Sequence, residues 1–202
     1  MPRITAPTIA EHVARQETAI LDAAADLFAE RGVVGTEMAD IAEAVGIARS
    51  SLYRYFPDKD HILLAWFERE LDPVIEHCRA IVSGPGDVHR RLRRWLDFQL
   101  DFLSAPEHQL APRVAREVGA VSPEVQRELG AGHARLYRTL SQLVVEVLEA
   151  SDDPADRRRD AMLLTSMIGG LVQAAGQAVL DGTSTATAKR ELRRAVAAVL
   201  GS

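Results

Sequence analysis

Apolar residues recur every three or four positions along most of the chain, the period of helices that bury one face. Ile20, Ala24, Leu27 and Phe28 set such a face over about residues 10–31, and Gly32 predicts its end. Met38, Ile41, Ala42 and Val45 make a second, short face. Gly46 interrupts it, and beyond Ile47 the face resumes at Leu52 and Phe56 before Pro57. This predicts two short helices across a tight turn, because glycine takes the left-handed conformation at little steric cost and proline lacks a donor and restricts the residue before it. Thr36 is the expected N-cap of the first of the pair, its hydroxyl accepting from an unpaired amide. The helix over 10–31 is expected to pack across both and complete a three-helix unit.

Farther along, Ile62, Leu63, Trp66, Phe67, Val74, Ile75, Cys78 and Val82 predict a long helix from about residue 58, with Pro73 expected to bend or split it. Residues 83–87 read as a loop. Val88, Leu92, Trp95, Leu96, Gln99, Phe102 and Leu103 mark the next helix, with Arg90, Arg91, Arg93 and Arg94 extending largely outward. Pro106, Pro112 and Gly119 predict a shorter, irregular helical element around 107–118. Ser122-Pro123 reads as a cap and first helical residue opening a helix to about Ala150, and Asp153-Pro154 repeats the signal for a helix to about Leu180. A final helix carries Leu192, Val196, Val199 and Leu200 on one face. The expected fold class is all-α, with about nine helices. Gly169, Gly170, Ala174, Ala175 and Gly176 cost helix propensity but let another helix come close. The last two helices, about 154–200, are therefore the expected seat of a symmetric four-helix interface with a second copy.

Charge sharpens this picture. The chain has 202 residues, 47% of them hydrophobic, and a formal charge of -5. Residues 1–61 hold six Lys/Arg and ten Asp/Glu, but residues 47–59 hold three basic residues against one acid, Asp58. A general nucleic-acid coat is excluded, and any DNA contact must come from focused placement. The single cysteine, Cys78, cannot form an intramolecular disulfide, and the opening residues MPRITAPTIAEHV lack the apolar run of a secretory signal, so a cytoplasmic location is expected. Residues 1 to about 9 are aperiodic and expected to form a flexible arm. The run from Ala161 to Leu180 approaches bilayer length, but Thr165, Ser166, Gln173 and Gln177 interrupt it; a buried helix and no membrane partner are expected. Adjacent helical residues such as His77 and Cys78 do not face each other and have no third partner, and the six histidines form no familiar metal array. No catalytic residue, metal ligand or cofactor is assigned.

The segments ILDAAADLFAERG (20–32), Thr36, DIAEAVGI (40–47) and SLYRYFPDKDHIL (51–63) together resemble the tetracycline-repressor (TetR) family of bacterial transcriptional regulators. The resemblance spans nearly the whole first domain in order and spacing, whereas the later helices carry no equally specific signature. It implies an arm and helix-turn-helix DNA-binding domain over 1–57 and a helical effector-binding and dimerisation domain over 58–202. It also implies a homodimeric repressor on a pseudo-palindromic double-stranded operator, released when a small effector binds the non-DNA-binding geometry more tightly. At matching positions, Thr36, Tyr55 and Lys59 are expected at phosphates, Arg49 at guanine or phosphate, Ser50 near a base edge, Ser51 at phosphate or base, and Tyr53 at a base or sugar-phosphate; Arg54 shares the helix. Two positions depart from the family pattern: Ala48 replaces a capping Ser or Thr, and Ser50 stands where a nearby glycine is common. Trp66, Phe98, Phe102, His133, Tyr137 and Met162 are the expected effector contacts, favouring an apolar or aromatic ligand whose identity stays open. A DNA-binding regulator without a small-molecule switch, or an activator, remains the alternative, and a helical enzyme the remoter one.

Overall fold

A computed structural model of the chain describes residues 9–105 and 117–201. Among them are eight α-helices: α1 (Ile9–Arg31), α2 (Met38–Val45), α3 (Arg49–Leu52), α4 (Lys59–Val82), α5 (Val88–Ser104), α6 (Pro123–Ala150), α7 (Ala161–Leu180) and α8 (Thr185–Leu200). Two 3-10 turns, Val118–Ala120 and Asp156–Arg158, join them. The fold is all-α. The expected arm and most of the irregular element around 107–118 lie outside the described residues. Compact packing divides the rest into two units, residues 9–70 with 117–129, and residues 71–105 with 130–201. This is a different partition from a functional boundary at 57/58.

In the first unit α1 packs on α2 and α2 on α3. Ile20, Ala24, Phe28, Ile41, Leu52, Ile62, Leu63 and Val125 are wholly buried, which is the apolar period of the sequence brought to one core. In the second unit α5, α7 and α8 pack on one another. Trp95, Leu96, Leu100, Leu140, Leu143, Val144 and Ile168 lie in that core, each large side chain contributing about 1.5–3 kcal/mol by leaving water. Two polar groups drawn inside are matched: Trp95 Nε1 donates to Thr139 Oγ1 at 2.8 Å, and Gln99 Nε2 to Cys78 Sγ at 3.2 Å; Arg91 Nε is buried without a partner among the described residues. Arg91 does not simply extend into solvent. Its guanidinium donates to the Val82 carbonyl and to Glu146, both at 2.5 Å, closing the α4–α5 loop onto α6. Asp97 pairs with Arg193 and Asp101 with Lys189, fastening α5 to α8 along two successive turns.

Three expectations change. Of the bend or split expected at Pro73, the split does not occur: α4 is continuous through it. The helix expected from Asp153-Pro154 begins only at Ala161, where the Asp160 carboxylate accepts from the amides of Met162 (2.9 Å) and Leu163 (3.1 Å). The preceding residues are taken by a tighter connector: Asp153 accepts from Ala155, Ser151 donates to Asp156, and Arg159 reaches the Val199 carbonyl at the end of α8. Finally, α7 is two-faced rather than buried. Leu164, Ile168, Gly169 and Val172 are covered, whereas Met162 (79% exposed), Leu163, Met167 and Leu180 are not. It is the one described helix long and apolar enough to cross a membrane by length and composition alone.

Candidate nucleic-acid interface

The helix-turn-helix is built from local hydrogen bonding. Glu37, in extended backbone, caps α2 reciprocally with Asp40: its own amide donates to Asp40 Oδ2 at 2.9 Å while its carboxylate accepts from the Asp40 amide. Thr36 is therefore not the N-cap. Its side chain is 0% exposed and its hydroxyl donates back to the Gly32 carbonyl at 2.8 Å, which takes the oxygen away from α2. At the other end Gly46 adopts φ 73°, letting the Ile47 amide fold back onto the Ala42 carbonyl at 3.0 Å. Ala48 leads into α3 with no side-chain cap. Regular helix lasts only to Leu52, after which Arg54 and Tyr55 donate to the carbonyls three residues back, a tightened last turn before Pro57.

This frame sorts the expected DNA contacts by where it leaves them. Leu52 is wholly buried, and Arg49, Ser50, Tyr53 and Arg54 are exposed; Ser51 and Tyr55 are half-buried. Arg49 and Tyr53 meet: Nη2 donates to the Tyr53 hydroxyl at 3.1 Å, and the guanidinium carbon lies 5.6 Å from the ring centroid. The hydrogen bond to Tyr53, with its local field, strengthens the already firm protonation of Arg49. Lys59 sits elsewhere. Its ammonium donates to the carbonyls of Val33 (2.7 Å), Thr36 (2.8 Å) and Val34 (3.3 Å), so its charge holds the α1–α2 turn.

The same turn is gripped from its amide side by a residue that sequence reasoning missed. Glu117 accepts from Val33 at 2.7 Å and Val34 at 3.3 Å, and its carboxylate lies against Gly32, whose φ is 79°. Asp60 makes a second tie to this return segment by accepting from the Ser122 amide at 2.8 Å. Nothing in the local pattern pairs residue 117 with residue 33. The Glu37–Asp40 pair departs from the usual sequence signal, in which Ser, Thr, Asp or Asn stands three residues before Glu or Gln.

The six expected effector residues are divided between the two units. Trp66 is buried in the first unit. In the second unit Phe98 stacks on His77, ring centroids 4.1 Å apart, beside a groove of about 500 Å³ between α4 and α5; Phe102 lies 6.5 Å from Phe98. Tyr137 and Met162 line a separate groove of about 470 Å³ between α6 and α7, and His133 is exposed. The neighbouring Cys78 thiol is pushed up to about 11 by burial, the opposite of an activated nucleophile.

Residues 20–66 match the model of a family described as bacterial regulatory proteins, tetR family. The HTH-type transcriptional regulator EthR of Mycobacterium tuberculosis is 27% identical over 146 residues, which cover 72% of this chain and 63% of that protein. The chain thus matches less than two thirds of that relative's length. Two solved structures share the fold: the fatty acid degradation regulator FadR from Bacillus halodurans, with a TM-score of 0.76 at 20% identity over 92% of this chain and 95% of that one, and FadR from Bacillus subtilis in complex with stearoyl-CoA, with a TM-score of 0.75 at 17% identity over 89% and 96%. The match over residues 20–66 takes in every residue of the helix-turn-helix, and by it this segment is a DNA-binding domain of the type found in the bacterial regulatory proteins of the tetR family.

Proposed function

We propose that the protein is a homodimeric transcriptional repressor whose two α3 segments enter successive major grooves of a pseudo-palindromic operator. The observation that carries this reading is the division of α3 and its following turn. The apolar side is closed by Leu52, and the outward side presents Arg49, Ser50, Tyr53 and Arg54 on a backbone fixed by caps at both ends of α2. Two cations and several hydrogen-bonding groups on one rigid, exposed edge suit phosphates and base edges. Ser51 and Tyr55 reach the duplex at the margin of this edge. Thr36 and Lys59 serve by holding the α1–α2 turn, and phosphate contact falls to Arg54 and Tyr55.

The second copy docks on α7, whose exposed Met162, Leu163, Met167 and Leu180 form an apolar face, with α8 completing the interface. The effector is a molecule whose apolar or aromatic part is held in the second unit. The groove beside His77 and Phe98 is favoured over the one that shares Met162 with the dimer face. The stearoyl-CoA in the Bacillus subtilis neighbour makes long-chain acyl thioesters the first ligands to try.

Selection of randomised duplex DNA by the purified protein at one fixed salt concentration tests the regulator. Two related half-sites, spaced so that both face one side of the duplex, are expected. A folded protein that enriches no motif would reject DNA recognition. With an operator in hand, added stearoyl-CoA is expected to weaken binding. Unchanged operator affinity in the presence of bound acyl-CoA would leave a regulator without that switch.

A further inference from the structure

We infer that Tyr53 acts through Arg49 rather than directly on DNA: the pair is a preassembled guanine reader, in which the tyrosine hydroxyl positions the guanidinium and Arg49 alone meets the base. The inference rests on the DNA-binding reading above and deepens it. The two residues stand at i and i+4, so they share one face of the turn that leaves α3. Two contacts fix the guanidinium with respect to the ring, the 3.1 Å hydrogen bond from Nη2 and the 5.6 Å approach to the ring centroid. Both side chains remain exposed, Tyr53 at 44%, so the pair is not a core contact that happens to reach the surface.

The chemistry of the guanidinium decides what the pair can still do. Nη2 carries two hydrogens, one beside the Nη1 hydrogens and one beside the Nε hydrogen. If the tyrosine oxygen accepts the first, the Nε/Nη2 fork stays free; if it accepts the second, the Nη1/Nη2 fork does. Either fork fits O6 and N7 of guanine in the major groove, the contact that distinguishes a G·C pair from the other three. The hydroxyl that accepts from Arg49 is itself held by that bond. A long, flexible side chain thus enters the groove with part of its ordering done beforehand, which lowers the entropic cost of the base contact.

The test uses the full chain and a selected operator. In that operator one guanine per half-site is replaced by 7-deazaguanine, which removes N7 and leaves base pairing intact, and in parallel by adenine. For the unaltered protein, binding is expected to fall at a single guanine position, by about 5- to 150-fold on replacement by adenine. Arg49→Lys, which keeps the charge and loses the fork, is expected to erase that discrimination. Tyr53→Phe, which keeps the ring and loses the hydroxyl, is expected to reduce it several-fold while leaving the dependence of binding on salt concentration unchanged, since no phosphate contact is removed. Circular dichroism of each variant confirms the fold. A Tyr53→Phe protein with undiminished guanine discrimination would overturn the inference. So would a uniform loss of affinity across all bases with a shallower salt dependence, which would make Tyr53 a phosphate contact. If the unaltered protein selects no motif, the DNA-binding reading falls, and this inference with it; a motif with no guanine sensitive to Arg49→Lys removes this inference alone.

Discussion

Gly169 shows how much a single missing methyl group decides. A Cβ there would lie 2.2 Å from Tyr137 Cε1, well inside contact distance, so the tyrosine ring occupies the space that any other residue would fill. Gly169→Ala is expected to destabilise the protein by about 1–3 kcal/mol in urea unfolding, as overpacking does. In a Tyr137→Ala background the same change should be neutral or stabilising by up to about 1 kcal/mol, because alanine is the better helix former once the ring is gone. A loss of equal size in both backgrounds would show that the ring is not the cause. The small residues of this helix were legible in the sequence as a place of close approach, but the partner was not, since nothing local to residue 169 selects residue 137. Asp58 makes a second prediction at this scale. Partial burial works to raise its pKa, but hydrogen bonds from the His61 ring (2.7 Å) and the His61 amide (2.9 Å) outweigh that and hold it below the ordinary 3.8. A carboxylate depressed in the folded state adds stability that is complete above its unfolded value and is lost as pH falls through the folded one. Asp58→Asn should therefore lower the thermal midpoint at neutral pH, with a gap to the parent protein that narrows below about pH 3.8. A gap that keeps its size into acid would contradict this.

Caps separate what the sequence could tell about the helices from what it could not. The start of α6 at Ser122-Pro123 and the turn at Gly46 follow from chemistry that acts over a few residues, and both were legible. The start of α7 was not, because two aspartates, 153 and 160, each stand before a possible helix. Proline after Asp153 favours the earlier site, yet the Arg159 bond to the Val199 carbonyl uses the intervening residues as a connector, and that contact depends on where α8 ends. Asp160→Ala is expected to cost about 1 kcal/mol through the lost cap. Asp153→Ala should leave the amide exchange of Met162 and Leu163 unchanged, whereas Asp160→Ala should speed it; the reverse order would assign the cap to the wrong aspartate. The N-cap of α2 was misread for a similar reason. Thr36 and Glu37 compete for the role, and the Gly32 carbonyl that captures the threonine hydroxyl is placed by the end of α1.

For the whole molecule, the exposed side of α7 and the exposed edge of α3 make linked demands. If the apolar face of α7 holds a second copy, Met167→Asp should convert the dimer to a monomer in sedimentation, since an aspartate there loses its water without gaining a partner. The monomer is expected to lose operator affinity by far more than the factor of two that counting chains would give, because one half-site is then bound without its tethered neighbour. A Met167→Asp protein that sediments as the parent does would place the interface elsewhere. The all-α class and the helix-turn-helix were legible because helical period and turn residues are written locally. The grouping of residues 117–129 with 9–70 was not, because it depends on contacts between distant parts of the chain. That grouping has a consequence for how the protein is made. Glu117 lies 84 residues beyond Val33, and at a synthesis rate of about 5–20 residues per second the turn leading into α2 waits roughly 4–17 s for the carboxylate that caps its amides. From residue 55 onward, which is most of that interval, the nascent chain has every residue of the exposed α3 edge and lacks the carboxylate that ties down the turn before α2. A message broken before codon 117 would therefore yield a helix-turn-helix whose α1–α2 turn lacks the Glu117 carboxylate, rather than a small complete unit.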